Sequence, residues 1–437
     1  MDHFRYRSGQ LFCEEVNVDE LAAKVGTPFY LYSQATFDEH YERFSKAFSA
    51  ISPLICYSIK NCGNIHLVNL IVKHGSGIDV VSGGELYRAL QAGADPAKVV
   101  FAGVGKTSEE IREAMEAGVG WLNIESEQEF ENARGIAGSL RREQRAALRV
   151  NPNVYDKKTH QKTATGKIES KFGVDFDRAR GFFDRYGRDP HLKLCGIHVH
   201  IGSPIFSSTP YVEALTKIME LVAELEKDGH RIEMLDIGGG FLAHYDGREE
   251  TQSWEAYGRD IVPVLQPFVA KGGLVVMEPG RSISANAGVL VTRVQYTKQG
   301  GSKRFVIVDS GMMHLIRPTL YDAYHFVWPT KVAPQLVPPN RQAQTGLPGL
   351  ETVDVVGRIC ESGDYLARER ALPHVDRGDL LCVFTAGAYG MAMASQYNAS
   401  PRPPEILVSG KGARIVRQRE TYADLVELER KTTPVDL

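Results

Sequence analysis

Short apolar runs recur at nearly regular intervals along the first two thirds of the chain. Five of them begin 21 to 24 residues apart, and three more follow before residue 280. Polar or amphipathic stretches long enough for a helix separate them, so each run is predicted to be a buried strand followed by a helix. The predicted strands are 54–59, 77–81, 98–103, 121–126, 145–151, 194–200, 233–237 and 274–278.

One of the intervening segments shows both ends of its helix. Ser82 stands before GGELYRALQA as an N-cap, and Gly93 follows where the helix would stop. Eight strand–helix units in series are typical of a (β/α)8 barrel of about 250 residues, and a doubly wound open sheet is the alternative. We therefore predict an α/β fold in which residues 30–285 form a TIM-type (β/α)8 barrel.

The pattern changes after residue 278. Strand-like runs now follow one another without helices between them, which predicts a mainly antiparallel β domain made of residues 1–29 and 286–437. A proline- and glycine-rich loop is predicted over 327–350, a hairpin over 4–15 and a final helix over 419–430. The strands predicted here are 289–296, 304–309, 352–357, 379–385 and 405–408.

Size and composition agree with two domains and exclude several classes of partner. A chain of 437 residues is too long for one hydrophobic core. Its net charge of −3 favours neither nucleic acid nor an anionic membrane, and no apolar stretch is long enough to span a bilayer. The first residues lack the apolar core of a signal peptide. The six cysteines are scattered without a CxxC pair, so we expect reduced thiols in a cytoplasmic protein.

Polar residues and glycines collect where the predicted barrel strands end. In a (β/α)8 barrel the carboxyl ends of the strands surround the active site. Any one of these residues could serve stability alone, but together they indicate a functional cleft. They are Lys60, Asp79, Arg149, Asn151, His198, His200, Gly238, Gly239, Gly240, Glu278, Gly280 and Arg281.

Three of these features point to one kind of ligand. Lysine is rarely buried without a partner, so Lys60 lies either at an exposed strand end or in a functional cleft. The glycines at 238–240 follow the seventh strand, where barrels commonly bind phosphate, although a tight structural turn would also use them. Glu278 ends an apolar strand and needs a partner to stay ionised, either Arg281 or a protonated pyridine nitrogen.

A lysine amine, a phosphate-binding turn, a histidine that can stack on a ring and an acid for a ring nitrogen describe a site for pyridoxal 5′-phosphate. Lys60 would bond covalently to the aldehyde, for which its amine must be neutral. A nucleotide-binding P-loop is rejected at 103–107, because Val100 stands where such a loop has its first glycine. No metal is predicted, since His198 and His200 have no third ligand at a matching spacing.

Several longer motifs resemble the fold-type III pyridoxal phosphate-dependent decarboxylases. They cover nearly the whole chain in the family's order: YSIKNCGN, GIDVVSGGEL, TATGKIESKFG, HVHIGS, LDIGGG, EPGR, LIRPTLYDAYH, CESGD and GAYG. The resemblance is strongest to the members that act on diaminopimelate. It implies a lyase of lysine biosynthesis that decarboxylates meso-2,6-diaminopimelate to L-lysine and CO2.

The resemblance also implies a role for each matching residue. Lys60, His200, Glu278 and Cys360 are the implied catalytic residues. Cys360 and Glu361 would enter the site from the other subunit of a homodimer, where the thiol returns a proton and the carboxylate contacts the distal amino group. The implied cofactor-binding residues are Lys60, His200, Ser203, Gly238, Gly239, Gly240, Glu278, Gly280, Arg281 and Tyr389. The implied substrate-binding residues are Arg281, Arg317 and Tyr321 at the distal carboxylate, with Glu361 and Tyr389.

Alternatives to this function stay open. A related decarboxylase could act on ornithine, arginine, carboxynorspermidine or a modified amino acid, but Arg317 and Glu361 favour a substrate with both a distal carboxylate and an amine. A racemase of the same fold is disfavoured by CESGD and EPGR. A non-catalytic binding relative would typically lack the cofactor lysine or the cysteine, whereas Lys60 and Cys360 are present. Residues 155–173 interrupt the barrel repeat and are predicted to act as a lid.

Overall fold

The computed structural model describes residues 2–160, 162, 165–166, 170–245, 252–342, 345–433 and 435. The chain divides into two compact units. The barrel unit comprises Asp38–Ala243 and Thr251–Ile283, and the β unit comprises Met1–Phe37, His244–Glu250 and Ser284–Leu437. Part of the predicted lid, namely residues 161, 163–164 and 167–169, lies outside the described residues.

The N-terminal residues form short strands before the barrel begins. Strands β1 and β2 pair antiparallel, which confirms the predicted hairpin. The Asn17 side chain caps the first helix by accepting hydrogen bonds from the backbone amides of Asp19 and Glu20. These elements are β1 Phe4–Arg7, β2 Gln10–Cys13, β3 Val16–Asn17, α1 Val18–Val25, β4 Phe29–Ser33 and α2 Gln34–Ala47.

All eight predicted barrel strands are present, with helices between them as predicted. Ser82 accepts a hydrogen bond from the amide of Glu85 at the start of the predicted helix, which ends just before Gly93. The strands are β5 Leu54–Ser58, β6 Gly77–Val80, β7 Val99–Phe101, β8 Trp121–Ile124, β9 Gln144–Asn151, β10 Val174–Asp175, β11 Leu192–His198, β12 Met234–Asp236 and β13 Leu274–Met277. The helices are α3 Ile65–Lys73, α4 Gly83–Gln91, α5 Ser108–Ala117, α6 Glu127–Leu140, α7 Phe176–Tyr186, α8 Thr209–Lys227 and α9 Trp254–Ala270.

The strands close into a barrel rather than an open sheet. Neighbouring strands run parallel in the order β5, β6, β7, β8, β9, β11, β12, β13, and β13 pairs with β5 through Val276 and Leu54. The short β10 adds to the side of β9. The predicted (β/α)8 barrel is therefore confirmed. Apolar side chains from seven strands form a buried cluster, which consists of Cys56, Val100, Trp121, Ala147, Cys195, Met234 and Val276.

The β unit is built on a mixed sheet that is mainly antiparallel, as predicted. Its strand order is β18, β17, β15, β14, β4, β20, β21, and β19 lies between β14 and β16. Only the pairs β15–β17 and β20–β4 run parallel among the pairings of this sheet in the described residues. The strands are β14 Gly288–Gly300, β15 Lys303–Val308, β16 Val327–Pro329, β17 Glu351–Val356, β18 Tyr365–Leu372, β19 Leu380–Val383, β20 Glu405–Ser409 and β21 Gly412–Arg417.

Short helices complete the described part of the chain. They are α10 Arg281–Ser284, α11 Arg317–Tyr321 and α12 Tyr422–Val426. The final helix is thus shorter than the predicted 419–430, because a 3-10 turn replaces it at Glu427–Glu429. All six cysteines are free thiols, and only Cys360 is exposed. Among the described helices, none has both the length and the apolar composition needed to cross a bilayer.

Candidate active site

Lys60 is held beside a buried carboxylate at the end of the first barrel strand. It lies in a 3-10 turn, Ile59–Asn61, that follows β5. Its Nζ is 2.6 Å from Oδ2 of Asp79 on β6, and the lysine side chain is 34% exposed whereas Asp79 is fully buried. Burial and the charge of Glu278 raise the pKa of Asp79, while Lys60 opposes that rise. The lysine amine at this strand end is therefore held by a buried acid, as a candidate functional residue would be.

The turn that carries Lys60 packs closely on the EPGR segment. The amide of Ser58 donates a hydrogen bond to the carbonyl of Pro279 at 3.1 Å. A Cβ added to Gly280 would lie 2.5 Å from Nδ2 of Asn61, so only glycine permits this approach. Because β13 pairs with β5, the close packing brings the lysine turn and the end of the last strand together.

His200 is a neutral ring with a defined tautomer. The amide of Gly239 donates to its Nδ1 at 3.2 Å, so Nδ1 is the acceptor and the proton sits on Nε2. Desolvation, followed by the charge of Arg149, lowers the pKa of His200 to about 3. The ring remains partly exposed. A flat, uncharged ring of this kind can stack on an aromatic ligand.

The three glycines after β12 form a turn that residues with a Cβ atom could not adopt without strain. Gly238 and Gly240 have φ of 69° and 98°. A Cβ would lie 2.2 Å from the Glu278 carbonyl at Gly239, and 2.3 Å from the Gly202 carbonyl at Gly240. The amides of Gly238 and Gly239 already bond to Asp236 and His200. These two amides are therefore not available to a phosphate. The turn could bind one through its other backbone groups, in the space left open by the absence of Cβ atoms.

A hydroxyl and a guanidinium lie side by side near this turn. Nε of Arg281 donates to Oγ of Ser203 at 3.3 Å, and Arg281 is buried at the start of α10. Cationic and hydroxyl donors together suit an anion.

Glu278 belongs to a buried cluster with His198 and Asp236. One potential ligand atom from each residue lies within 4.8 Å of the others, and Nε2 of His198 is 3.7 Å from Oε2 of Glu278. Burial would raise the pKa of Glu278, but the nearby charges of His198 and Lys60 hold it well below its usual range. Burial and the charge of Glu278 raise the pKa of Asp236. Glu278 is thus the ionised acid of the pair.

Sequence reasoning did not find this cluster. The sequence pattern placed His198 among the strand-end residues and paired it with His200 as a rejected metal site, and it gave Asp236 no role. The signal available was position alone, since His198 and Asp236 are the last residues of β11 and β12.

The remaining predicted residues belong to the β unit. Arg317 is buried at the start of α11, and Tyr321 is partly exposed at its end. Cys360 and Glu361 are both exposed on the loop between β17 and β18, where the Tyr397 hydroxyl donates to Glu361. Tyr389 lies on the loop after β19 with φ of 56°.

The CESGD loop is held by its own aspartate. The Asp364 carboxylate accepts hydrogen bonds from the amides of Met312 at 2.6 Å and Ile359 at 2.7 Å. Because Ile359 precedes Cys360 directly, these bonds fix the backbone that presents the thiol. Sequence reasoning did not single out Asp364.

The barrel residues fit a pyridoxal phosphate. Oε1 of Glu278 is buried and has no hydrogen-bond partner among the described residues, so it can accept from a protonated ring nitrogen. Lys60 provides an amine, His200 a neutral ring, and the glycine turn a cradle that a Cβ would fill.

Comparisons with known proteins identify the family. A family model described as pyridoxal-dependent decarboxylase, pyridoxal binding domain, matches residues 34–285. The diaminopimelate decarboxylase of Aquifex aeolicus is 43% identical over 427 residues, which is 97% of each chain. The structure of diaminopimelate decarboxylase from Helicobacter pylori complexed with L-lysine has a TM-score of 0.87 at 37% identity, covering 95% of this chain and 99% of that one. The enzyme of M. jannaschii in co-complex with L-lysine gives 0.90 at 34% identity, covering 99% and 98%. The chain therefore belongs to the diaminopimelate decarboxylase family of pyridoxal-dependent decarboxylases.

Proposed function

We propose that this protein is a carboxy-lyase that converts meso-2,6-diaminopimelate to L-lysine and CO2 with pyridoxal 5′-phosphate as its cofactor. The observation that carries the proposal is the pairing of Lys60 with the buried Asp79, at the end of the strand that pairs with the one preceding Glu278. The names of the relatives supply the substrate, and both similar structures described above hold L-lysine, the proposed product.

The barrel residues prepare the chemistry around the cofactor. Bound pyridoxal phosphate supplies an electron-withdrawing ring that accepts the electron pair left behind by CO2. Asp79 fixes Nζ of Lys60 in place, and the neutral His200 offers a flat face without adding positive charge. Glu278 holds a proton at the ring nitrogen through its open Oε1. The buried position of Glu278 strengthens this interaction, because water does not screen the charge.

The β unit provides the groups that suit the distal end of the substrate. Arg317, together with Arg281 of the barrel unit, has the planar fork that binds a carboxylate, and Tyr321 adds a hydroxyl. Glu361 suits an ammonium group. We propose that Cys360 returns a proton to Cα and that it acts, with Glu361, in the site of a second subunit. The exposure of both residues on the described chain supports a homodimer. The free thiols support a cytoplasmic location.

The test is an assay of lysine and CO2 release from meso-diaminopimelate, with ornithine as the competing substrate. Lys60→Ala should abolish turnover and the absorbance band of covalently bound cofactor, whereas Lys73→Ala, at an exposed helix end, should change neither. Turnover of ornithine without turnover of diaminopimelate would favour a related decarboxylase. A wild-type protein that shows no band in excess cofactor would be a binding protein instead.

A further inference from the structure

The segment that carries Arg317 turns back so that a histidine lies against it. Arg317 opens α11, Asp322 ends the helix with φ of 50°, and His325 follows three residues later. The reversal brings the two side chains together, and Arg317 is 6% exposed and His325 fully buried. A buried arginine needs hydrogen-bond acceptors that hold its charge in a defined place.

The hydrogen bonds of His325 define its role. Its Nδ1 lies 3.0 Å from the carbonyl of Phe384, which can only accept, so Nδ1 carries the proton. Its Nε2 must then be the acceptor, and Nε of Arg317 donates to it at 3.3 Å. An arginine cannot accept a hydrogen bond, so both contacts require this one tautomer.

An aromatic ring confines the same guanidinium from another side. The guanidinium carbon of Arg317 lies 4.9 Å from the ring centre of Tyr245. Tyr245 also meets His325 edge to face, with ring centres 5.6 Å apart and planes at 89°. The three side chains thus form one packed group that fixes both the position and the plane of the guanidinium.

We propose that His325 is a positioning residue that orients Arg317 for the distal carboxylate of the substrate. The inference rests on the proposed function, in which Arg317 binds that carboxylate. Because His325 engages Nε, a carboxylate would be bound by the two terminal amino groups of the fork. Without His325 the charge of Arg317 remains, but the hydrogen bond that holds its Nε is lost and its plane is less firmly fixed. Binding of the distal end then weakens, while the reacting end of the substrate is unaffected.

Two substitutions separate the two hydrogen bonds of His325. His325→Gln can keep an acceptor opposite Arg317, whereas His325→Asn can keep only the donor to the Phe384 carbonyl. In the holoenzyme we expect His325→Asn to raise KM for meso-diaminopimelate about tenfold with kcat nearly unchanged. His325→Gln should stay within about threefold of the wild-type KM. Equal losses in both variants, or a fall in kcat at constant KM, would overturn the positioning role.

A double-mutant cycle tests whether His325 acts through Arg317. Adding His325→Asn to Arg317→Met should raise KM no further than Arg317→Met alone, because the orienting partner has nothing left to orient. A further tenfold rise would show an independent role and refute the inference. If His325→Asn does not fold, Tyr245→Leu removes the aromatic wall and should likewise raise KM without lowering kcat. A wild-type protein that neither binds nor turns over diaminopimelate would instead refute the proposed function and this inference with it.

Discussion

The charge on Glu278 is set by its neighbours and not by solvent. Two acids and a histidine share one buried space, and a single negative charge is far easier to accommodate there than two. His198 lies next to Glu278, so the charge settles on Glu278 and the proton on Asp236. Sequence position alone would treat these two strand-end acids as equivalent.

Substitution of the two acids should therefore have unequal effects. Glu278→Gln removes the buried charge and should lower kcat about 10²–10³-fold, the usual loss for one electrostatic group aimed at developing charge. Asp236→Asn replaces a neutral acid by a neutral amide and should keep kcat within about tenfold of the wild type. Steady-state decarboxylation assays at saturating cofactor make the comparison. Equal losses would mean that the charge is shared and not localised on Glu278.

His200 should stay neutral across the physiological pH range. Its pKa is lowered to about 3 by desolvation and by Arg149, whereas an ordinary histidine titrates near 6.5. Between these values the unfolded chain binds the proton more readily, so the contribution of His200 to stability is complete above pH 6.5 and is lost as the pH falls toward 3. NMR of ring-labelled histidine, assigned with a His200→Gln variant, should show no titration of this ring from pH 8 to 5. A midpoint near pH 6 would contradict the assignment.

Among the elements, the glycine turn after β12 has a backbone so close to neighbouring carbonyls that it leaves no room for a Cβ atom. Gly240→Ala would place a Cβ 2.3 Å from the Gly202 carbonyl at φ of 98°. We expect a loss of about 1–3 kcal/mol in the free energy of unfolding and at least a tenfold weaker affinity for pyridoxal phosphate. Denaturant unfolding of the apoprotein and a fluorescence titration with cofactor measure the two effects.

The matched control is a glycine with open surroundings. Gly135 lies inside α6, and no atom is within 4 Å of an added Cβ. Gly135→Ala should therefore stabilise the protein by about 0.5–1 kcal/mol and leave cofactor affinity unchanged. If both variants weakened cofactor binding equally, the turn would have no special part in it.

Elements buried on both faces were predictable, whereas exposed or charged ones were not. Every barrel strand is a short apolar run, because helices cover one face and the interior covers the other. Strand β18 reads YLARERAL and β21 reads GARIVR. Their charged residues interrupt the apolar pattern, so neither was predicted as a strand. The two-residue strand β10 is too short to leave any pattern.

The candidate site shows the same division. Lys60, His200 and Glu278 were predicted because each follows a predicted barrel strand, and active-site residues of (β/α)8 barrels lie at these strand ends. The His198–Glu278 contact joins residues that are 80 positions apart, and the contact of His325 with Arg317 depends on how one loop reverses. These contacts arise from closure of the barrel and from tertiary packing, so the spacing of residues along the sequence does not predict them.

For the chain as a whole, the proposed roles are divided between two units. The cofactor residues from Lys60 to Arg281 belong to the barrel unit, and Arg317, Cys360 and Glu361 belong to the β unit. If Cys360 acts in the site of a second subunit, a dimer of two different inactive variants should have a predictable fraction of wild-type activity. This expectation can be tested with two variants that are each inactive.

Co-expression of Lys60→Ala and Cys360→Ser subunits should restore activity. In a hybrid dimer one site has both defects and the other has neither, since its lysine comes from one subunit and its thiol from the other. Random pairing makes about half of the dimers hybrid, so the mixture should reach about a quarter of wild-type activity. A mixture of Lys60→Ala with Glu278→Gln is the control, because both defects lie in the barrel unit and every hybrid site keeps one of them. Activity that stays absent in the first mixture would place the thiol in the site of its own subunit, whereas recovery in both mixtures would mean that Lys60 and Glu278 of one site come from different subunits.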